Sequence, residues 1–312
     1  MNRPPVHQPL GIRPLVILGP TASGKSDVAM AYAVAHPGSE IVAVDAMQVY
    51  RRMDVGTAKP TAADRAAVPH HCLDITEPSE EFAVAEFVDA AQAALAAIAG
   101  REGRAVLVGG TGLYLRALTD PMEIPGRFPD VRAALEERAR REGSEALHAE
   151  LAAADPLAAS RMEPSNERRV VRALEVVLGS GRRFSSFGPG LDSYPAVPFT
   201  QIGLRWRREV LAERIARRVQ AMVSAGLVDE VRRLLAEPAG LSRTARQALG
   251  YKEIIDHLEG GCSLEAAVAT IVLRTRQFAV RQERWFRRDP RVRWVEIEHD
   301  PVAEVLPVIE NP

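Results

Sequence analysis

The 312-residue sequence predicts an α/β fold with a parallel β-sheet core, a mostly helical insertion domain and a helical C-terminal region. The core is predicted because short apolar runs alternate with helical segments, a pattern typical of a parallel sheet covered by helices. The insertion is predicted because residues 121–195 contain helical segments rich in Ala, Arg and Glu, with no strand pattern between them. A chain of this length is expected to contain more than one domain, since single cores rarely grow beyond ~250 to 300 residues. We therefore expect residues 1–120 and 196–312 to form the core domain and residues 121–195 a separate one.

The first strand and helix enclose a complete phosphate-loop motif. PLVIL at 14–18 is a short β-branched run that predicts a strand, and the helical pattern that follows the motif ends at Pro37 and Gly38. GPTASGKS at 19–26 fits Gly-x-x-x-x-Gly-Lys-Ser without a mismatch. A strand before this motif and a helix after it are the context that phosphate binding requires. The core is therefore expected to be P-loop NTPase-like.

The chemistry of this loop follows from its backbone and from two side chains. Its N–H groups and the N-terminus of the next helix form a concave positive site suited to a diphosphate. Lys25 adds a point charge, and the Ser26 hydroxyl is suited to coordinating Mg²⁺. The loop residues are Gly19, Pro20, Thr21, Ala22, Ser23, Gly24, Lys25 and Ser26. Most chains with such a loop bind ATP or GTP, so the motif alone leaves the ligand open.

Two further strands place polar side chains near the loop. EIVAVDA at 40–46 predicts a strand that reaches Asp45, and RAVLVGGTGLYLRAL at 104–118 predicts a strand, a glycine turn with Thr111 and a helix. FTQIGLRW at 199–206 predicts one more strand of the sheet. Because ligands bind at the carboxyl ends of parallel strands, both side chains are expected to face the crevice. Asp45 could bind metal, act as a general base or cap a turn, and Thr111 could line the crevice or cap the helix.

The C-terminal third is basic, although the whole chain has a net charge of −1. Between Gly203 and Arg293 there are 19 Arg or Lys against 11 Asp or Glu, a local excess of +8. A polar stripe at helical spacing within RTRQFAVRQERWFRR consists of Arg274, Gln277, Arg281, Arg284 and Arg288. Ile271, Phe278 and Trp285 are expected to anchor the helix from another face. A solvated surface is the alternative, but the imbalance favours contact with the phosphates of a polyanion.

Composition and cysteine usage exclude several classes of protein. Hydrophobic residues form 46% and charged residues 26%, as in ordinary globular proteins. No apolar run approaches the ~18 residues of a membrane helix, and the N-terminal MNRPPVHQPLGIRP lacks the apolar region of a signal peptide. Cys72 and Cys262 have no metal-like spacing, so we expect reduced thiols. Adjacent residues rarely ligate one ion together, so a structural or hydrogen-bonding role is expected for His70-His71-Cys72. These features predict a cytoplasmic protein.

A series of motifs along nearly the whole chain resembles one family. The motifs are GPTASGKS, DAMQVYRRMDVGTAKPT, PHHCLDI, VGGTGLYLRAL, RRVVRALEV, RIARRV, GLVDEV, ALGYKE and TRQFAVRQERWFRR. In this order they resemble the bacterial tRNA dimethylallyltransferases, which prenylate the exocyclic amine of the adenosine at tRNA position 37, just 3′ of the anticodon. The series is far more specific than the phosphate loop alone.

The resemblance implies a donor site and an acid–base residue. The family's loop holds the diphosphate of dimethylallyl diphosphate rather than a nucleoside triphosphate, so Thr21 to Ser26 are expected to bind it, with Mg²⁺ as cofactor. Lys25, Thr111 and Arg218, the second arginine of the RIxxR pattern, are expected to complete the charge clamp on the leaving diphosphate. Asp45 is expected to orient the adenosine amine and to take its proton.

The resemblance also implies contacts with the tRNA anticodon stem-loop by a monomeric protein. The expected contact residues are Asp45, Ala46, Met47, Gln48, Thr111, Arg132, Arg168, Arg169, Val170, Val171, Arg172, Gln247, Ala248, Leu249, Gly250, Tyr251 and Lys252. The target adenosine is expected to flip out, because a stacked base cannot reach a buried electrophile. Many family members have serine where this chain has Ala46, so a hydroxyl contact is expected to be missing.

Three other functions stay open at this level. An ATP-dependent small-molecule kinase would use the same loop, an adenylate prenyltransferase would modify free AMP, and an inactive P-loop module would only bind RNA. The helical insertion and the arginine-rich helix disfavour a small acceptor, which requires neither. The presence of Lys25, Ser26, Asp45 and Arg218 disfavours an inactive module.

Overall fold

The structure is a computed structural model that describes residues 14–188, 190–191 and 193–310. The N-terminal segment for which the absence of a signal peptide is expected lies outside the described residues, apart from Pro14. By its internal contacts the chain divides into two compact units. The core unit consists of Met1–Thr119 and Ala196–Pro312, and the insertion unit consists of Asp120–Pro195.

The described part of the core unit contains one parallel sheet. Its strands are β1 Leu15–Leu18, β2 Ser39–Val44, β3 His70–His71, β4 Arg104–Gly109, β5 Thr200–Trp206 and β6 Val292–Ile297. They lie in the order β3-β2-β4-β1-β5-β6, and every neighbouring pair is parallel. β1 lies between β4 and β5 with all of its residues buried, which explains its uninterrupted apolar sequence. The loops after β1, β2 and β4 therefore start at the same edge of the sheet.

Helices follow most of these strands and form the insertion unit. They are α1 Lys25–Ala35, α2 Ala62–Ala67, α3 Val84–Gly100, α4 Gly112–Thr119, α5 Pro129–Glu142, α6 Ser144–Ala154, α7 Pro156–Ala159, α8 Glu167–Ser180, α9 Arg208–Ser224, α10 Leu227–Leu235, α11 Arg243–Arg246, α12 Tyr251–Leu258, α13 Leu264–Phe286 and α14 Pro301–Glu310. A short 3-10 helix spans Phe184–Ser186. None of the described helices is long and apolar enough to cross a membrane.

The insertion unit contains α5 to α8 and has its own hydrophobic core. The buried residues of this core include Leu135, Leu147, Leu151, Val170, Val171 and Leu174. Glu175 is also buried, and its carboxylate accepts a hydrogen bond from the Phe128 N–H. The same carboxylate forms ion pairs with Arg132 and Arg172. The Ala- and Arg-rich segments therefore form a packed helical unit, as the sequence predicts.

Four elements of the core unit are absent from the sequence prediction: β3, β6, α2 and α14. β6 is an edge strand with Arg293 and Glu296 exposed, and these charged residues hide its strand pattern. β3 contains only two residues and α2 only six, so neither is long enough to show a periodicity. α14 contains Pro307, a residue that predicts a helix end rather than an interior.

The arginine-rich helix α13 packs differently from the prediction. Ile271 is buried as expected and Trp285 is half-buried, but Phe278 is 37% exposed and does not anchor the helix. The buried residues of α13 are Ala267, Ile271, Thr275, Ala279, Gln282 and Phe286. They advance mostly in steps of four, so the contact stripe turns away from Phe278 along the helix.

Candidate active site

The phosphate loop, residues 19–26, connects β1 to α1 with a backbone that favours glycine at Gly24. This residue has φ +91°, and a Cβ there would lie 2.5 Å from Cγ of Pro301. Ala22 also has a positive φ, +63°, which is unfavourable for a residue with a side chain. Gly24 is the N-cap of α1, so the loop leads directly into the free N–H groups of a helix N-terminus. The loop therefore has the conformation of an anion site.

Two side chains from other elements hold the loop carbonyls. Trp206 Nε1, at the end of β5, donates to the Ser23 carbonyl at 2.9 Å. Arg214 Nε, on α9, donates to the Ala22 carbonyl at 2.8 Å, and its guanidinium lies 4.4 Å from the centroid of the Trp206 ring. Because these carbonyls already have donors, their negative ends do not turn toward an anion in the loop.

Lys25 and Arg218 bring two cations to the loop without an acidic partner in contact. Among the described residues, no carboxylate oxygen lies within 4.0 Å of either charged group. Burial first and Arg218 second lower the pKa of Lys25 to about 8, while Asp45 and Asp27 oppose the shift. Burial also lowers the pKa of Arg218, again against the attraction of Asp45 and Asp27. The site thus has positive charge that an anion would stabilise.

A cleft of about 680 Å³ opens beside Arg218. Two carboxylates line it, but both already have partners: Lys59 Nζ lies 2.8 Å from Asp54 Oδ1 and 2.6 Å from Asp74 Oδ1. Arg65 also forms an ion pair with Asp74, at 2.7 Å. Among the described lining residues, Arg218 is therefore the cation left for an external anion.

Asp45 directly follows β2 and takes one of the roles that its position predicts, the cap of a turn. Its Oδ1 accepts hydrogen bonds from the N–H groups of Met47 at 2.8 Å and Gln48 at 3.4 Å, so it caps the turn. None of the described residues donates to Oδ2, and the residue is half-buried. One oxygen therefore fixes the carboxylate, and the other is left to accept a proton or to bind a ligand.

Thr111 lies in the turn between β4 and α4 and likewise serves two purposes. Its carbonyl accepts the N–H of Leu115, as at the start of a helix. Its hydroxyl oxygen accepts the N–H of Ala46 at 3.2 Å, next to Asp45. This bond ties the turn after β4 to the turn after β2, and it leaves the hydroxyl hydrogen of Thr111 to donate to a ligand.

Two buried polar residues near the site are missed by the sequence reasoning. Gln282 of α13 contacts the backbone of two glycine turns, the phosphate loop at Thr21 and the turn after β4 at Gly110. Glu230 of α10 is 4% exposed and contacts the segment after Asp45. Each is a polar residue on the buried side of a helix. A polar residue at an inward-facing helical position was the sequence signal that could have pointed to them.

Glu230 binds three consecutive N–H groups of the segment DAMQVYRRMDVGTAKPT. Its Oε2 accepts from Asp54 at 2.9 Å and from Val55 at 2.8 Å. Its Oε1 accepts from the Gly56 N–H at 3.1 Å and from the Tyr251 hydroxyl at 2.6 Å. A Cβ at Gly56 would lie 2.4 Å from the Tyr251 ring, so glycine permits this close packing. The segment is thereby fixed to α10 and α12.

Comparison with known proteins now identifies the family. The family model described as IPP transferase matches residues 48–289, and one described as isopentenyl transferase matches residues 12–77. A tRNA dimethylallyltransferase of Streptomyces coelicolor is 48% identical over 284 residues, which cover 91% of this chain and 90% of that protein. The chain belongs to the IPP transferase family.

Solved structures of IPP transferases share the fold. A full-length tRNA isopentenylpyrophosphate transferase of Bacillus halodurans is 38% identical with a TM-score of 0.66, over 96% of each chain. A eukaryotic dimethylallyltransferase acting on tRNA is 25% identical with a TM-score of 0.75, over 91% of this chain and 74% of that chain. The α/β fold and the family predicted from the sequence are both confirmed.

In this IPP transferase, the residues of the insertion unit that are predicted to contact tRNA differ in exposure. Arg168 and Arg169 are exposed at the start of α8. The side chains of Val170 and Val171 are buried in the helical core, so they support the helix rather than face a ligand. Arg132 and Arg172 are held by the buried Glu175, as described above.

The other predicted contacts lie in the core unit. Ala46, Met47 and Gln48 are half-buried in the turn after Asp45. In the stretch before and within α12, Gln247 is exposed, and Leu249 and Lys252 are half-buried. Ala248, Gly250 and Tyr251 are buried, and the Tyr251 hydroxyl already donates to Glu230. These three residues therefore support the exposed residues around them and do not face solvent themselves.

The polar stripe of α13 is largely open to solvent. Arg274, Gln277, Arg281, Arg284 and Arg288 are all exposed. Arg274 donates to the buried Glu253, so one charge of the stripe is partly neutralised.

The tandem histidines have a hydrogen-bonding partner: His71 bonds Glu40 at 2.7 Å. Among the described residues, no group of three or more His, Cys, Asp or Glu side chains could hold a metal ion. That pairing gives His71 a structural role.

Proposed function

We propose that this IPP transferase transfers the dimethylallyl group of dimethylallyl diphosphate to the exocyclic amine of the adenosine at tRNA position 37. The observation that carries the proposal is the pair of cations, Lys25 and Arg218, which lack a contacting carboxylate beside an anion-binding loop. Lys25 Nζ donates to the Pro20 carbonyl at 3.3 Å, but neither cation has a counter-ion among the described residues. Desolvated charges without a counter-ion are unfavourable, so a bound diphosphate would stabilise them. Relatives that are named tRNA dimethylallyltransferase support the choice of transferred group and acceptor.

In the proposed reaction, a bond forms between N6 of the adenosine and C1 of the dimethylallyl group, while the bond from C1 to the diphosphate oxygen breaks. The diphosphate leaves with the bonding electrons, and loop N–H groups, Lys25, Thr111 and Arg218 stabilise the developing charge. The amine is a weak nucleophile because its lone pair is delocalised into the ring. Asp45 orients it and takes the N6 proton on the carboxylate oxygen that the turn leaves free. The products are N(6)-dimethylallyladenosine in tRNA and diphosphate.

Mg²⁺ is the proposed cofactor, bound by Ser26 together with oxygens of the diphosphate. Ser26 is exposed in the first turn of α1, and its hydroxyl is a hard oxygen ligand of the kind that Mg²⁺ prefers. Mg²⁺ usually keeps several waters and uses few protein ligands plus substrate phosphates, so a single hydroxyl fits this mode of binding. When bound, the ion supplies positive charge to the leaving group.

The proposed setting is a cytoplasmic monomer that acts on the tRNA anticodon stem-loop. The exposed arginines of α13 and of α8 support a polyanionic partner. The resemblance to bacterial tRNA-modifying enzymes supports the compartment and the monomeric state. Gel filtration of the purified protein, alone and with tRNA, measures the oligomeric state directly.

Incubation of the purified protein and Mg²⁺ with unmodified tRNA and radiolabelled dimethylallyl diphosphate tests the proposed reaction. We expect label in tRNA, and a loss of turnover on the order of 10²-fold or more in Asp45→Asn. The side-chain carbonyl of the substituted asparagine can still accept the Met47 N–H, so the turn should stay intact while the proton acceptor is lost. Label transferred to AMP would indicate an adenylate prenyltransferase, and ATP consumption without transfer would indicate a kinase. Either outcome contradicts the proposal.

A further inference from the structure

We infer that Gln282 is a positioning residue that sets the conformation of the phosphate loop for diphosphate binding; the inference rests on the proposed function. Gln282 is 7% exposed, on the buried side of α13. Its Oε1 accepts the Thr21 N–H at 2.8 Å, and its Nε2 donates to the Gly110 carbonyl at 2.9 Å. One amide therefore links the loop after β1 to the turn after β4.

Two glycines allow α13 to approach the second turn closely enough for this link. A Cβ at Gly110 would lie 2.3 Å from Gln282 Nε2, and a Cβ at Gly112 would lie 2.1 Å from Trp285 Nε1. Neither position leaves room for a side chain. The glycines of GGTG thus have a packing role, and the amide bridge between the turns depends on them.

The bridge decides where the N–H of Thr21, the first in the loop after Pro20, points. Because the Thr21 N–H donates to Gln282, it does not donate to a diphosphate, and the anion is left to the later N–H groups of the loop. Without Gln282, the N–H of Thr21 would lose its partner. Rotation of the peptide between Pro20 and Thr21 toward another acceptor would then lower the free energy.

That rotation would reach the strained part of the loop. Ala22 follows Thr21 and has φ +63°, a conformation that persists only where the surroundings hold it. Gln282 holds the residue before Ala22, while Arg214 holds the Ala22 carbonyl. Removing the first of these bonds releases one side of the strained residue, so the concave arrangement of N–H groups should loosen.

The test compares Gln282→Met with Gln220→Met, since Gln220 is exposed on α9 and contributes nothing to the site described above. Binding of inorganic diphosphate with Mg²⁺ is measured by calorimetry, and KM is measured for dimethylallyl diphosphate and for tRNA. For Gln282→Met we expect diphosphate affinity to fall about tenfold and the donor KM to rise by the same factor, as for loss of a buried hydrogen-bond partner. The KM for tRNA should change by less than about twofold.

A purely structural role predicts a different pattern, in which the folded fraction and the apparent kcat fall while both KM values stay constant. That pattern, or wild-type diphosphate affinity in Gln282→Met, overturns the inference. Absence of diphosphate binding and of transfer in the wild-type protein contradicts the proposed function instead.

A second measurement does not depend on whether the variant folds. Solvent exchange of the Thr21 N–H is followed by NMR in unliganded wild-type protein labelled with ¹⁵N-threonine. A buried acceptor on Gln282 predicts slow exchange of this amide before any diphosphate is added. Exchange at the rate of an exposed loop amide would show that the bridge is not maintained in solution and would overturn the inference.

Discussion

Lys25 shows how the lack of an acidic contact prepares one residue for its ligand. Burial and the nearby Arg218 together lower the pKa of its ammonium to about 8. A bound diphosphate reverses both effects, because a neighbouring anion favours the charged form of lysine. The lysine is thus partly neutral in the free protein near pH 8 and becomes fully charged as the donor binds.

Diphosphate affinity of the free protein should therefore fall as the pH rises through about 8. The ammonium is present below its pKa and is lost above it, so the attraction is lost on the alkaline side. Calorimetric titration with inorganic diphosphate across this range measures the effect. Lys25→Arg is the control, since the guanidinium stays charged and its curve contains only the titration of the ligand and of other groups. An equal alkaline decline in both proteins would assign the effect elsewhere.

At the scale of elements, the segment after β2 depends on helices that come much later in the chain. Glu230 of α10 accepts hydrogen bonds from three consecutive backbone N–H groups and from the Tyr251 hydroxyl of α12. Glu230 is 4% exposed, so without its carboxylate the buried Tyr251 hydroxyl and the part-buried N–H groups would lose their acceptor. This arrangement holds the stretch that continues from Asp45 and Gln48.

Glu230→Ala should lower the free energy of unfolding by about 3 kcal/mol, because it leaves the buried Tyr251 hydroxyl and three part-buried backbone N–H groups without an acceptor. Glu237→Ala is a matched control: Glu237 forms ion pairs with Arg52, but that pair is largely exposed and should contribute less than about 1 kcal/mol. Urea unfolding of the two variants and the wild type gives both values. Equal losses in the two variants would show that the hydrogen bonds of Glu230 contribute no more to the free energy of unfolding than an exposed ion pair does.

The alternating elements of the core were predictable because their signals are local. β1, β2, β4 and β5 are mostly buried and therefore rich in apolar residues, and glycine turns follow β1 and β4. β6 was not predictable in this way. It is defined by pairing with β5 at an edge of the sheet, and its exposed Arg293 and Glu296 interrupt the apolar pattern.

The residues of the candidate site also differ in how far they were predictable from local sequence. Asp45 and Thr111 could be placed beside the loop because parallel strands end at one edge of a sheet. Gln282 and Glu230 could not, since each acts on a backbone segment 172 or more residues away in sequence. A sequence pattern indicates that such a residue faces inward, but only tertiary packing determines which backbone group it meets.

At the scale of the whole molecule, α13 has two faces with separate roles. Its inner face carries Gln282 and Phe286 into the core unit, where Gln282 bonds both glycine turns. Its outer face presents the exposed arginines of the polar stripe. The charge asymmetry of the sequence therefore coincides with a helix that also supports the phosphate loop.

If this outer face binds tRNA phosphates, tRNA affinity should fall steeply with salt because bound arginines displace counterions from the RNA. Arg284→Gln should reduce the slope of log Kd against log salt concentration by about 0.7 to 0.9, the value for one phosphate contact. Arg233 is likewise exposed, but it lies on α10 outside the stripe, so Arg233→Gln should leave the slope unchanged. Filter binding of unmodified tRNA over a range of salt concentrations measures all three slopes. A slope near zero in the wild type, or equal changes in both variants, would mean that α13 is a solvated surface and that tRNA binds elsewhere.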